Sequence, residues 1–154
     1  MAKSSQPRKA PLIYVAGPLF NSLEREYLER VAAALERAGY RTFLPHRDAG
    51  VLTEFSAERR RQIFQQDLDA LEECDAIVAV LNGPDHDSGT SAELGFLFAR
   101  GKPCFGLTDD IRWLNNLVWG LCDQGRQIAK DIETLAGQVD RKLRGSNVPS
   151  QTGH

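Results

Sequence analysis

Ala76-Ile-Val-Ala-Val-Leu81, then Asn82-Gly-Pro-Asp-His-Asp-Ser-Gly89, then Thr90-Ser-Ala-Glu-Leu-Gly-Phe-Leu-Phe-Ala-Arg100 is the stretch that decides the fold. A continuously apolar run of this length suits a strand buried on both faces, as in a parallel sheet covered by helices above and below. The polar run after it reads as a loop, and Thr90–Arg100 as a helix. Strand, loop and helix therefore follow one another as in a βαβ unit.

The same alternation extends outward in both directions. Upstream, Leu12–Ala16 is a short strand closed by Gly17 and Pro18. From Asn21, an N-cap, the residues Leu23, Tyr27, Leu28, Val31, Leu35 and Ala38 recur at helical spacing until Gly39 stops the helix. Tyr40–Leu44 reads as a second strand ending at Pro45, and Ala57–Glu73 as a second helix with Ile63, Phe64, Leu68 and Leu71 on its apolar face. Downstream, Lys102–Leu107 is a fourth strand. A mostly helical stretch follows from Trp113 to about Leu143, with Gly120, Gly125 and Gly137 working against its continuity. The pattern implies an α/β fold with a doubly wound parallel sheet, helices on both faces, and ligands in the crevice beyond the carboxyl ends of the strands. One domain over residues 11–143 is expected, between polar tails at 1–10 and 144–154.

Composition narrows the function. With 154 residues and a formal net charge of −2, acids and bases interspersed, the chain lacks the basic stripe that holds a phosphate backbone, so nucleic acid is not an expected partner. Cys74, Cys104 and Cys122 are odd in number and lack metal-site spacing, which argues against a disulfide framework or a zinc site and for a reducing cytoplasm. No apolar run approaches the roughly 20 residues of a membrane span, and residues 1–11 lack the apolar core of a signal peptide. His46, His86 and His154 show no mutual spacing that suggests a metal. Gly17–Phe20 is neither GxGxxG nor a Walker loop, and GxSxG is absent.

Several acids stand where chemistry is expected. Asp87 and Glu93 flank the start of the helix after the third strand, where small residues such as Gly89 let a ligand approach. Thr90 and Glu93 also have the T-x-x-E spacing of a capping box, a purely structural alternative. Asp67 lies four residues after Ile63 and four before Leu71, on or beside an apolar helix face. It is either a boundary residue bonded to a backbone amide or a carboxyl whose pKa is raised for proton donation. Tyr14, near the exit of a central first strand, is either a core aromatic or a neighbour of Gly17–Phe20, Asp87 and Glu93 at the same crevice. His46, after a strand end, is a candidate ligand contact. The Glu58-Arg59-Arg60-Arg61 run is a solvated helix face or a phosphate contact.

Tyr14-Val-Ala-Gly-Pro-Leu-Phe20, Asp67-Leu-Asp-Ala-Leu-Glu-Glu-Cys-Asp75 and Asp87-Ser-Gly-Thr-Ser-Ala-Glu-Leu-Gly95 together resemble the nucleoside 2-deoxyribosyltransferases, over about residues 12–120. The resemblance implies a flavodoxin-like sheet of about five strands. It also implies exchange of the base of a 2′-deoxynucleoside through a covalent deoxyribosyl enzyme, without metal or other cofactor. Glu93 is then the nucleophile, Tyr14 its hydrogen-bonding neighbour, Asp67 the proton donor to the departing base, and Asp87 a sugar or base contact. Gly17, Phe20, His46 and Gly89 border the substrate. Leu114-Asn-Asn-Leu-Val-Trp-Gly120 resembles the family segment that enters a neighbouring subunit's site, with Asn115, or Asn116 in the other register, near the sugar 5′-hydroxyl and Leu117 or Val118 where the family has Met. That implies a homo-oligomer, at least a dimer, with a shared site. The implied partners are deoxynucleosides and free bases.

Two other readings fit the sequence. Related N-glycoside hydrolases of nucleosides or their 5′-monophosphates share fold and nucleophile, but carry phosphate-binding hydroxyls and a Gly-rich turn where this chain has Pro18, Leu19 and Phe20. A sensing module that binds such ligands without turnover is opposed by the intact Asp67, Asp87 and Glu93. Base selectivity is expected to rest on loops such as Pro45–Phe55.

Overall fold

The computed structural model describes residues 9–83 and 86–145. Along the chain run β1 (Leu12–Ala16), α1 (Ser22–Arg37), β2 (Arg41–Phe43), α2 (Pro45–Asp48), α3 (Ala57–Glu73), β3 (Ala76–Val80), α4 (Ser88–Ala99), β4 (Cys104–Leu107), α5 (Asn116–Leu121), β5 (Ile128–Ala129) and α6 (Ile132–Arg144), with one 3₁₀ turn at Ile111–Trp113. The five strands form one parallel sheet in the order β2-β1-β3-β4-β5. Leaving β1, the chain first winds outward to β2 and then returns to β3 on the other side, so the topological switch lies between β1 and β3.

Strand alternation divides the core into two layers. Ile13, Val15, Val78, Val80, Phe105 and Leu107 pack beneath Leu28, Val31 and Leu35 of α1 and Leu135 and Val139 of α6. Tyr14, Ala16, Ile77, Ala79 and Cys104 face Ala70 and Leu71 of α3, Leu94 and Leu97 of α4, and Val118 of α5. β1 and β3 are buried along their whole length, as their uninterrupted apolar sequences require. At the start of α1, Asn21 accepts from Glu24 N at 2.9 Å while Glu24 Oε2 accepts from Asn21 N at 3.2 Å, a reciprocal cap. Glu24 Oε2 also accepts from Phe20 N, so the same cap ties down the loop after β1. Gly17 lets that loop pass under the helix: a Cβ there would lie 2.5 Å from Leu28 Cδ2.

The region after Trp113 departs from the continuous helix that its sequence suggests. Asp123, Gln124 and Gly125 take left-handed φ values of 52°, 53° and 80° and stop the chain after α5. Ile128 and Ala129 then pair with Gly106 and Leu107 as the edge strand β5. Two residues without a β-branched run leave no period to read, so only tertiary pairing makes them a strand. Gly137, by contrast, stays inside α6: burial of Leu135 and Val139 offsets a glycine cost of about 1 kcal/mol. The one-turn α2 after β2 is a further element the period did not signal.

The ordered domain also exceeds 11–143. Arg144 belongs to α6 and donates to Ala38 O at 2.6 Å, and Ala10 O accepts from Arg41 Nε at 2.9 Å. The remainder of the two expected tails, 1–8 and 146–154, lies outside the described residues. Among the described residues no helix is long and apolar enough to cross a membrane.

Candidate active site

α4 begins beyond the carboxyl end of β3, and its cap is Asp87 rather than Thr90. Asp87 Oδ2 accepts from both Thr90 N and Thr90 Oγ1 at 2.9 Å, and the Thr90 side chain is buried. The T-x-x-E capping box is therefore not formed. Glu93, one turn further on, is released from the helix end and its Oε1 accepts from Tyr14 Oη at 2.7 Å.

Tyr14 reaches Glu93 from the middle of β1. Its ring is fully buried and stacked on Phe43 of β2, with centroids 5.3 Å apart and planes at 26°. Burial and the adjacent Glu93 and Asp67 raise the phenol's pKa well above the ordinary tyrosine range, so the hydroxyl keeps its proton and serves as donor. Glu93 is pushed up to about 7: burial is the main cause, the Tyr14 hydrogen bond opposes it, and Asp67 and Asp87 add to the rise. Asp67, on α3, is raised to about 6 by burial, and its buried Oδ1 has no hydrogen-bond partner among the described residues. Neither a backbone amide nor a cation holds that oxygen, so the boundary-residue alternative has no support.

The other residues singled out from the sequence are distributed around this cluster. Gly17 lies directly beyond β1. Phe20 is 78% exposed at the crevice rim. Gly89 sits in the first turn of α4, where a Cβ would come 3.2 Å from Asp87 Oδ2. His46 follows β2 at α2, but its Nε2 is engaged with Glu29 Oε1 of α1 at 2.9 Å. Arg59 Nη1 donates to Gln62 Oε1, and Arg60 and Arg61 are solvent-facing. Asn115 caps α5, its Oδ1 accepting from Leu117 N at 2.9 Å and Val118 N at 3.5 Å. It borders a cavity of about 490 Å³ with His86, Ser91, Trp113, Leu117 and Val118. Ser91 and Glu93 are two residues apart on α4 and point about 160° apart, so this cavity opens on the flank of α4 away from Glu93. The structure thus brings Tyr14, Glu93 and Asp67 together and leaves Asn115 outside their cluster.

Sequence reasoning missed Phe43, the Thr90 grip on Asp87, and His86, whose Nε2 accepts from Asn115 N at 3.5 Å. The Asp87-to-Thr90 spacing was a legible cap signal; the stacking of Phe43 depends on strand register, which the sequence does not display. Cys74, Cys104 and Cys122 are buried free thiols pushed up to about 12 by burial, unsuited to nucleophilic work. Among the described residues no His, Cys, Asp and Glu cluster could hold a metal ion.

Two carboxyls displaced toward neutrality, one paired with an un-ionised phenol, lie together at the switch point of a parallel sheet, a set of groups chemically able to supply a nucleophile and a proton donor. Residues 13–143 match the family model for nucleoside 2-deoxyribosyltransferase. An uncharacterized protein of Schizosaccharomyces pombe is 32% identical over 130 residues, covering 75% of this chain and 62% of the relative, so the chain spans less than two thirds of that protein. A Thermofilum pendens protein provisionally named 2′-deoxynucleoside 5′-phosphate N-hydrolase 1 is 26% identical over 139 residues, 87% of this chain and 96% of its own. In fold, a 2-deoxyribosyltransferase from Bacillus psychrosaccharolyticus superposes with a TM-score of 0.71 at 24% identity, covering 81% of this chain and 90% of the other.

Proposed function

The chain belongs to the nucleoside 2-deoxyribosyltransferase family, and from that premise we propose that it moves a 2-deoxyribosyl group from one nucleobase to another through a glutamate-bound intermediate. The observation that carries the proposal is the Tyr14 to Glu93 hydrogen bond, with Asp67 close enough to raise the pKa values of both partners.

Glu93, ionised, attacks the anomeric carbon of a 2′-deoxynucleoside. The carbon–oxygen bond forms, the glycosidic carbon–nitrogen bond breaks, and its electron pair leaves with the base, which takes a proton from Asp67. An incoming base nitrogen then attacks the same carbon, the Glu93 ester bond breaks, the pair returns to the carboxylate, and Asp67 recovers a proton from the new base. Two inversions give net retention. The missing 2-hydroxyl makes the oxocarbenium-like transition state easier to reach, so positioning and proton supply are the protein's main tasks. Tyr14 steadies the carboxylate. Asp87, Gly17, Phe20, His46 and Gly89 are proposed to line sugar and base, and Asn115 to meet the 5′-hydroxyl in a second subunit's site. Leu117 and Trp113, 71% and 60% exposed beside Asn115, support an apolar contact between copies there.

Incubation with deoxyinosine or thymidine, with and without adenine, tests the proposal: deoxyadenosine forming only when adenine is present is the expected result. The Thermofilum relative supports a second reading, hydrolysis of deoxynucleosides or their 5′-monophosphates. Free base and free sugar, unaffected by an acceptor base, would establish that reading instead.

A further inference from the structure

Phe43 occupies the edge strand β2 directly opposite Tyr14 in register, on the sheet face that α3 and α4 cover. Among the described residues no strand lies beyond β2, so on that flank the half-buried Phe43 ring stands between Tyr14 and the sheet edge. The rings are stacked at 5.3 Å, and among the described residues the Tyr14 hydroxyl has a single hydrogen-bond partner, Glu93 Oε1. A tyrosine with a polar contact only at its tip depends on ring packing for direction, because small rotations at its base displace the hydroxyl most. We propose that Phe43 is the positioning residue of this site: its ring holds Tyr14 so that the phenol O–H stays directed at Glu93 Oε1, and it keeps water off that hydrogen bond from the sheet edge.

The inference rests on the transfer reading for its kinetic arm, but not for its spectroscopic arm. The groups facing Tyr14 are Glu93 from α4, Asp67 from α3 and Cys74 at the end of α3, all of which oppose its ionisation. Solvent entering in place of Phe43 would bring that ionisation down toward the ordinary tyrosine range. The test uses the full chain with Phe43→Ala, Phe43→Leu and Phe43→Tyr. It follows kcat and KM for base exchange, and the ultraviolet titration of Tyr14 by difference against the same proteins carrying Tyr14→Phe. Loss of the ring is expected to lower kcat roughly 10- to 100-fold with KM within about twofold, and Phe43→Tyr to restore most of it. The Tyr14 titration is expected to move down in the Ala and Leu variants. Folded Phe43→Leu with wild-type kcat, or an unmoved Tyr14 titration, overturns the proposal. Where Phe43→Ala fails to fold, Phe43→Leu carries the test. Absence of turnover in the wild type contradicts the transfer reading alone, and the titration still decides the role of Phe43.

Discussion

Tyr14 on the buried strand β1 donates its phenol hydrogen to Glu93 on α4 at 2.7 Å, joining two residues 79 positions apart in the chain. The bond favours the charged form of a carboxylate that burial otherwise disfavours, and Glu93 rests near neutrality between these two influences.

Tyr14→Phe removes the stabilising partner and keeps the ring. The pKa of Glu93 then rises further, so the upper apparent pKa of the kcat/KM profile moves to higher pH and its maximum falls. A hydrogen bond to a charged group contributes about 1.5–3 kcal/mol, so a loss of roughly 10- to 100-fold is expected at neutral pH. Steady-state kinetics across pH checks both effects.

The kcat/KM profile of the wild type should be bell-shaped, with limbs set by the Glu93 and Asp67 pair near 7 and 6. Since the free enzyme's essential groups set that profile, the optimum lies between those values. Asp67→Asn is expected to abolish the alkaline limb and to slow donors with poor leaving bases more than those with good ones.

Stability should run opposite to activity at Glu93. Its folded pKa, about 7, exceeds its ordinary 4.5, so the native state binds the extra proton and stability falls as pH rises through that window. Glu93→Gln carries no such charge. It is expected to melt higher than the wild type above pH 7, with the gap closing toward pH 5. Equal pH dependence of the two melting curves would count against a buried, strained Glu93.

If Asn115 serves a neighbouring subunit, Glu93→Gln and Asn115→Ala proteins, each weak alone, should regain activity when mixed and allowed to exchange subunits. Mixed oligomers then contain one site with both residues intact. No gain on mixing, with subunit exchange demonstrated, would place the whole site within one chain.

Much of this architecture is legible in the sequence. The uninterrupted apolar runs of β1 and β3 and the 3.6-residue spacing of α1 and α3 are strong signals, because burial on defined faces leaves a period. β5 is not legible: Ile128 and Ala129 become a strand through pairing with Gly106 and Leu107 alone. At the site, Glu93 could be found but not assigned, since T-x-x-E fits both a cap and a reactive group. Only the structure shows Asp87 capping and Glu93 turned toward Tyr14. Phe43 was illegible for the same reason as β5, as its role follows from strand register.

Glu93 is proposed to carry the deoxyribosyl group between bases. Wild-type protein mixed with deoxyinosine in the absence of an acceptor, quenched in acid and mapped by peptide mass spectrometry tests it most directly. A single added deoxyribosyl mass is expected on the peptide containing Glu93, cleared when adenine is supplied and absent from Glu93→Gln. Base exchange proceeding at the wild-type rate in Glu93→Gln, or the adduct forming on a different residue, would contradict it.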